Sequence, residues 1–133
     1  MLGIDTNVLI RFLTLDDEVQ TPIAQKVLAD PRHHPIYLSM LVLAEAYNVM
    51  TKVKKHPPAA VLEGYQLLLR SPALKIERPD MVAKAIENAG QTKAGFSDAL
   101  IALQNAEARC AATATFDYRA TRLDGMSPVE DYL

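Results

Sequence analysis

Short apolar runs alternate along the chain with longer segments in which apolar residues recur at helical spacing. The short runs predict strands at residues 2–4, 36–38, 74–76 and 111–114, with a last one within 127–133. The longer segments predict helices at residues 8–13, 22–30, 40–53, 58–70, 80–88 and 98–109. Strands that alternate with helices are typical of parallel sheets. We therefore predict an α/β fold with a small parallel sheet of about five strands, flanked by helices.

Polar residues at the helix boundaries sharpen this assignment. Thr21, followed by Pro22, is predicted to cap the second helix, since proline is well tolerated at a first helical position. Ser39 and Ser97 are predicted to cap the third and the last helix. Gly90 is predicted to end the fifth helix, and residues 91–95 are then a polar loop.

Length and composition indicate one soluble domain spanning residues 1–133. Half of the residues are hydrophobic, 23% are charged and the net charge is −2, so a nucleic-acid partner would need a local basic patch. The single cysteine, Cys110, cannot form an internal disulfide and is predicted to be a small core residue. No apolar run approaches the length of a membrane span and no signal peptide is evident. We expect a cytoplasmic protein without membrane contact.

Four acidic residues stand apart from the sixteen, because apolar residues or predicted strand ends surround them: Asp5, Glu45, Asp98 and Asp117. Asp5 follows the first strand, and Glu45 is the one charged residue between positions 36 and 50. Each also has a structural interpretation. Asp5 can cap a helix, Glu45 can lie on an exposed stripe, Asp98 can complement a helix dipole, and Asp117 can be a turn residue.

The predicted topology brings these acids toward one edge of the sheet. Converging carboxylates raise one another's pKa values unless a counter-charge is present. A hard divalent cation supplies that charge, and oxygen ligands favour Mg²⁺ or Mn²⁺ over zinc. Metal ions held by carboxylates suit phosphodiester hydrolysis, so the sequence predicts a metal-dependent site of this kind.

The ordered set DTNVLIRFL, a lone Glu45, FSDALIAL and TATFDYR resembles the PIN domain in the form of VapC-type toxins from toxin–antitoxin pairs. The resemblance implies that the four acids are the catalytic residues and hold Mg²⁺ or Mn²⁺. It also implies supporting roles for Thr6 or Asn7, after the first acid, and for Thr115, before the fourth. One departure is Ala120, where the family often has an aromatic residue; Tyr118 is a substitute there.

The resemblance further implies a metal-dependent endoribonuclease that dimerises and is inhibited by a small antitoxin protein. An RNA substrate needs nearby cations, for which the candidates are Arg11, Lys52, Lys54, Lys55 and Arg119, with Arg122 beyond them. The alternative is a catalytically silent PIN-like module that binds RNA or protein. An aspartyl-phosphate phosphatase is disfavoured, because that chemistry wants a second acid two residues after Asp5 and the chain has Asn7 there.

Overall fold

The computed structural model describes all residues from 1 to 133, which divide into two compact units, Met1–Pro79 and Asp80–Leu133. The organisation of residues 1–133 as one domain stays a prediction. No helix in the structure has the length and apolar character that crossing a membrane requires.

The N-terminal unit is a three-stranded parallel sheet with connecting helices. Its strands pair in the order β1-β2-β3, with Leu2 opposite Ile36 and Ile36 opposite Leu74. The strands are β1 (Leu2–Gly3), β2 (Ile36–Leu38) and β3 (Leu74–Ile76), and the helices are α1 (Thr6–Thr14), α2 (Gln20–Ala29), α3 (Met40–Asn48) and α4 (Pro58–Arg70).

Burial of the apolar faces holds this unit together. Ile36 and Leu38 in β2 are completely buried, as expected for the central strand of a parallel sheet. Tyr65 of α4 is also buried, and its hydroxyl donates a 2.6 Å hydrogen bond to the carbonyl oxygen of Leu43 in α3. Burial raises the pKa of the Tyr65 hydroxyl well above its usual range, so this phenol stays protonated and keeps its role as a donor.

Residues 40–53 are helical, as predicted, although the last part differs in type. The predicted cap is present, since Ser39 Oγ accepts a 3.2 Å hydrogen bond from the backbone N–H of Val42. After α3 the chain continues as a π-helical turn at Val49–Val53 and leaves it at Lys54. Such turns are short and occur often at functional sites.

The predicted start of α2 is wrong, because Thr21 does not cap this helix. The carboxylate of Asp17 accepts hydrogen bonds from the backbone N–H groups of Val19 at 3.0 Å and Gln20 at 2.6 Å. The helix therefore begins earlier, and Thr21 lies inside it. The buried hydroxyl of Thr21 instead donates to the carbonyl oxygen of Arg11 at 2.9 Å, which fastens α2 to the end of α1.

The C-terminal unit has two helices followed by a two-stranded parallel sheet. Thr113 lies opposite Met126 in that sheet. Its elements are α5 (Pro79–Thr92), α6 (Phe96–Glu107), β4 (Thr113–Thr115) and β5 (Met126–Pro128), with 3₁₀ turns at Ala120–Arg122 and Val129–Tyr132. The α/β class with about five parallel strands is confirmed, and the strand hydrogen bonds form one sheet of three and one of two.

Three local predictions in this unit are wrong. Gly90 does not end α5, which continues to Thr92 and stops where Lys93 takes a left-handed φ of 64°. The helix α6 begins at Phe96 with Gly95 as its N-cap, so Ser97 lies within the first turn. Cys110 is exposed rather than part of the core, because it follows the end of α6 in an exposed turn.

Candidate active site

Asp5 lies at the junction of β1 and α1. Its backbone is extended and its Oδ1 accepts a 3.1 Å hydrogen bond from the N–H of Val8, so the side chain caps the helix. The predicted capping role of Asp5 is therefore confirmed, and one of its two carboxylate oxygens carries it out. The residue is exposed and lies just beyond the carboxyl end of a parallel strand, where α/β proteins bind ligands.

Glu45 of α3 lies beside the start of α1. The hydroxyl of Thr6 donates a 2.8 Å hydrogen bond to Glu45 Oε2, although the two residues are 39 positions apart in the sequence. Glu45 is exposed, so this bond holds the carboxylate without removing it from solvent. The structure thus brings Glu45 to the residue that directly follows Asp5, while Asn7 is exposed one position further along.

The other two predicted acids belong to the C-terminal unit. Asp98 is half-buried in the first turn of α6. Asp117 is exposed, two residues beyond β4; its backbone N–H donates to Thr115 Oγ1 at 3.0 Å, and its Oδ1 accepts from the N–H of Arg119 at 2.9 Å. Thr115 therefore fixes the backbone of the turn that presents Asp117. Tyr118 is 74% exposed, so it does not replace the family's aromatic residue by packing.

The chemistry of these donors fits a hard divalent cation, because each of the four acids offers carboxylate oxygens. The structure contains no group of three or more histidine, cysteine, aspartate or glutamate side chains arranged to hold a metal ion. Two of the carboxylates instead accept hydrogen bonds from nearby backbone N–H groups, at Val8 and Arg119.

The predicted RNA-contacting cations differ in their availability. Lys52, Lys55 and Arg119 have exposed side chains. Arg11 and Lys54 are half-buried and both contact Asp16, at 3.4 Å and 2.8 Å respectively. Their charges are therefore compensated within the protein.

A groove of about 680 Å³ extends from Asp5 along the side of α1. Apolar side chains of β1, α1 and α2 form much of its wall, and Asp5, Asn7 and Arg11 add polar groups. Arg11 lies six residues after Asp5, which corresponds to about 9 Å along a helix axis. One continuous surface therefore carries a candidate catalytic acid and a candidate phosphate-binding cation.

The sequence interpretation missed Asp16, which it included in an unremarkable acidic loop after α1. The available signal in the sequence was Thr14, a hydroxyl residue two positions before the acid. In the structure its Oγ1 lies 2.7 Å from Asp16 Oδ1. The link to Lys54 crosses 38 positions and has no counterpart in the local sequence.

The chain is an α/β protein in which the short parallel strands β1 and β4 are each followed by a candidate catalytic acid, Asp5 and Asp117. The candidate chemistry therefore lies at the carboxyl ends of strands, as is common in α/β proteins. The family model described as PIN domain matches residues 3–126, and the chain belongs to this family. PIN domains are typically nucleases and generally use divalent metals, so membership supports a hydrolase of the nuclease type. No curated protein matches the chain.

Proposed function

We propose that this protein is a Mg²⁺- or Mn²⁺-dependent endoribonuclease and the toxin of a toxin–antitoxin pair. The observation that carries the proposal is the Thr6–Glu45 hydrogen bond in a chain of the PIN domain family. This bond holds the acid of α3 at Thr6, the residue that directly follows Asp5. Both carboxylates are exposed, so an ion and a substrate can reach them.

In the proposed mechanism Asp5 and Asp98 would be the main ligands of the metal, and Glu45 and Asp117 would complete the ligand set. When bound, a divalent ion lowers the pKa of water and neutralises charge on the phosphate. Thr6 orients Glu45 through its hydroxyl, and Thr115 orients the turn of Asp117.

Substrate binding depends on cations beside these acids. Lys52, Lys55 and Arg119 have exposed side chains that can pair with backbone phosphates. Asn7 is exposed next to Thr6 and can hydrogen-bond a phosphate or a ribose hydroxyl. These contacts hold RNA through its backbone and its 2′-hydroxyls.

The experiment that tests the nuclease proposal is incubation of purified protein with a mixed cellular RNA pool in Mg²⁺ or Mn²⁺. An EDTA arm and an Asp98→Asn variant serve as controls. We expect discrete fragments that require both the metal and Asp98. Cleavage by the variant at the wild-type rate would overturn the assignment of Asp98.

The toxin role has its own test, because it concerns growth rather than chemistry. Expression of the wild-type chain should arrest bacterial growth, while the Asp98→Asn variant should not. Co-expression of a small antitoxin protein encoded beside the gene should restore growth and yield a stable complex, and the lack of any such protein would refute the toxin role. Normal growth with an active nuclease would refute the toxin role alone. We also propose a homodimer, which light scattering of the purified chain tests directly.

The second candidate is a catalytically silent PIN-like module that binds RNA or protein. It is favoured by one observation, namely that the structure holds no group of three or more side chains arranged for a metal ion. Thermal unfolding with and without Mn²⁺ separates the two candidates. A ligand that binds only the folded state raises the stability of that state. The nuclease candidate therefore predicts a higher Tm in Mn²⁺, whereas the silent module predicts the same Tm with and without the ion.

A further inference from the structure

Three side chains contact the carboxylate of Asp16, two of them positively charged and one a hydroxyl. Its Oδ2 accepts a 2.8 Å hydrogen bond from Lys54 Nζ, and its Oδ1 lies 3.4 Å from Arg11 Nη1 and 2.7 Å from Thr14 Oγ1. A guanidinium, an ammonium and a hydroxyl that converge on one anion are also the groups that bind phosphate oxygens. Asp16 therefore occupies a position that has the chemistry of a phosphate site.

The anion in this position is accessible and exchangeable. The side chain of Asp16 is 40% exposed, against 28% for Arg11 and 24% for Lys54, so solvent reaches the carboxylate more than the cations behind it. Lys54 and Thr14 hold the pKa of Asp16 far below its usual range, which keeps the carboxylate ionised. Because the carboxylate faces solvent and the two cations lie behind it, another anion can approach from solvent and replace the carboxylate while the cations stay paired.

The neighbouring acid, Asp17, behaves differently. Its carboxylate lies 3.9 Å from Arg11 Nε and accepts hydrogen bonds from the backbone N–H groups of Val19 and Gln20. Asp17 is therefore committed to the start of α2. Gln20 also contacts Arg11, because its Oε1 accepts from Arg11 Nε at 2.8 Å, which orients the guanidinium.

We infer that Arg11, Lys54 and Thr14 form a binding subsite for a backbone phosphate of single-stranded RNA, which Asp16 occupies until RNA displaces it. The inference rests on the proposed function, since it takes RNA as the ligand. Arg11 lines the same groove as Asp5, so a strand held here passes beside the candidate catalytic acid. Asp16 thus acts as an internal competitor that weakens binding of RNA without blocking the acids.

The test is binding of a fluorescently labelled single-stranded RNA, measured by anisotropy in EDTA over a series of KCl concentrations. EDTA prevents metal-dependent cleavage, so the measurement does not depend on catalysis. The Asp16→Asn variant removes the competing charge while keeping the size of the side chain. The matched control is Glu18→Gln, which makes the same charge change at an exposed residue of the same loop.

We expect Asp16→Asn to bind RNA about fivefold more tightly than wild type, as the loss of one exposed charge pair allows. We expect its plot of log K against log salt to be steeper by about 0.7, the value for one more phosphate contact on a single strand. Adding Lys54→Met to Asp16→Asn should abolish the gain. Glu18→Gln should bind as wild type does.

Three results would overturn the inference. Equal gains in Asp16→Asn and Glu18→Gln would mean that net charge alone is responsible. Unchanged or weaker binding by a folded Asp16→Asn variant would mean that the carboxylate orients the cations for RNA rather than competing with it. No RNA binding by any variant at any salt concentration would refute the RNA subsite. The nuclease proposal is tested separately, by cleavage in Mg²⁺ or Mn²⁺, so none of these three results decides it.

Discussion

Asp5 has two roles that one pair of substitutions can separate. Its Oδ1 caps α1 through a 3.1 Å hydrogen bond from the N–H of Val8, and the residue is also a proposed metal ligand. Asparagine caps helices about as well as aspartate but cannot supply a carboxylate. Asp5→Asn should therefore unfold like wild type in EDTA, while Asp5→Ala loses the cap and should lose about 1 kcal/mol of unfolding free energy.

The magnitudes are large enough to measure. A loss of about 1 kcal/mol corresponds to a Tm lower by about 4 °C for a chain of this size. Mn²⁺ at tenfold excess over its Kd should stabilise the wild-type protein by about 1.4 kcal/mol. Both variants should lose much of this gain, because one ligand of the ion is missing, and both should lose RNA cleavage.

Thermal and urea unfolding, each in EDTA and in Mn²⁺, combined with RNA cleavage assays, give all the required values. Asp5→Asn that retains full cleavage and the full Mn²⁺ effect would refute the metal role and leave Asp5 as a cap only. Asp5→Ala that is as stable as wild type in EDTA would instead show that the cap contributes nothing, which contradicts the reasoning from the hydrogen bond.

Further predictions concern catalysis, packing and pH. Asp98→Asn should abolish RNA cleavage with an unchanged circular dichroism spectrum; a lost spectrum would show that the residue is needed for folding. Tyr65→Phe should lower the unfolding free energy, measured by urea unfolding, by about 1 kcal/mol, because the buried hydrogen bond from the Tyr65 hydroxyl to the carbonyl oxygen of Leu43 is lost; an unchanged midpoint would contradict this. Backbone N–H donors, that of Gln20 foremost, lower the pKa of Asp17 in the folded state. The stabilisation from Asp17 is therefore present above its unfolded pKa of about 3.9 and is lost as the pH falls through the lowered value. Asp17→Asn should accordingly weaken the dependence of the urea midpoint on pH as the pH falls below about 4, and a profile parallel to that of the wild type would refute the assignment.

Much of the fold follows from the sequence alone. The range predicted for α4 is the observed Pro58–Arg70, and that for β3 is Leu74–Ile76. These elements are determined locally, by proline at a helix start and by short apolar runs between breakers. The capping bond of Asp5 matches one of the two interpretations that its position before Thr6 and Asn7 allowed.

Local signals failed at two helix boundaries. Thr21 had the sequence pattern of a cap, but the carboxylate of Asp17 accepts hydrogen bonds from the N–H groups of Val19 and Gln20, and the helix begins before Thr21. Gly90 had the pattern of a helix end, yet α5 continues to Thr92 and stops where Lys93 takes the left-handed conformation that a glycine would otherwise supply.

The sequence by itself determined which residue types are available, namely four acids set apart from their surroundings, and the order of strands and helices that carries them. Only the tertiary structure decided which groups meet. The Thr6–Glu45 bond spans 39 positions and the Lys54–Asp16 bond spans 38. Contacts at that separation depend on how α1 and α3 pack, and packing is set by buried faces of the whole unit rather than by any local pattern.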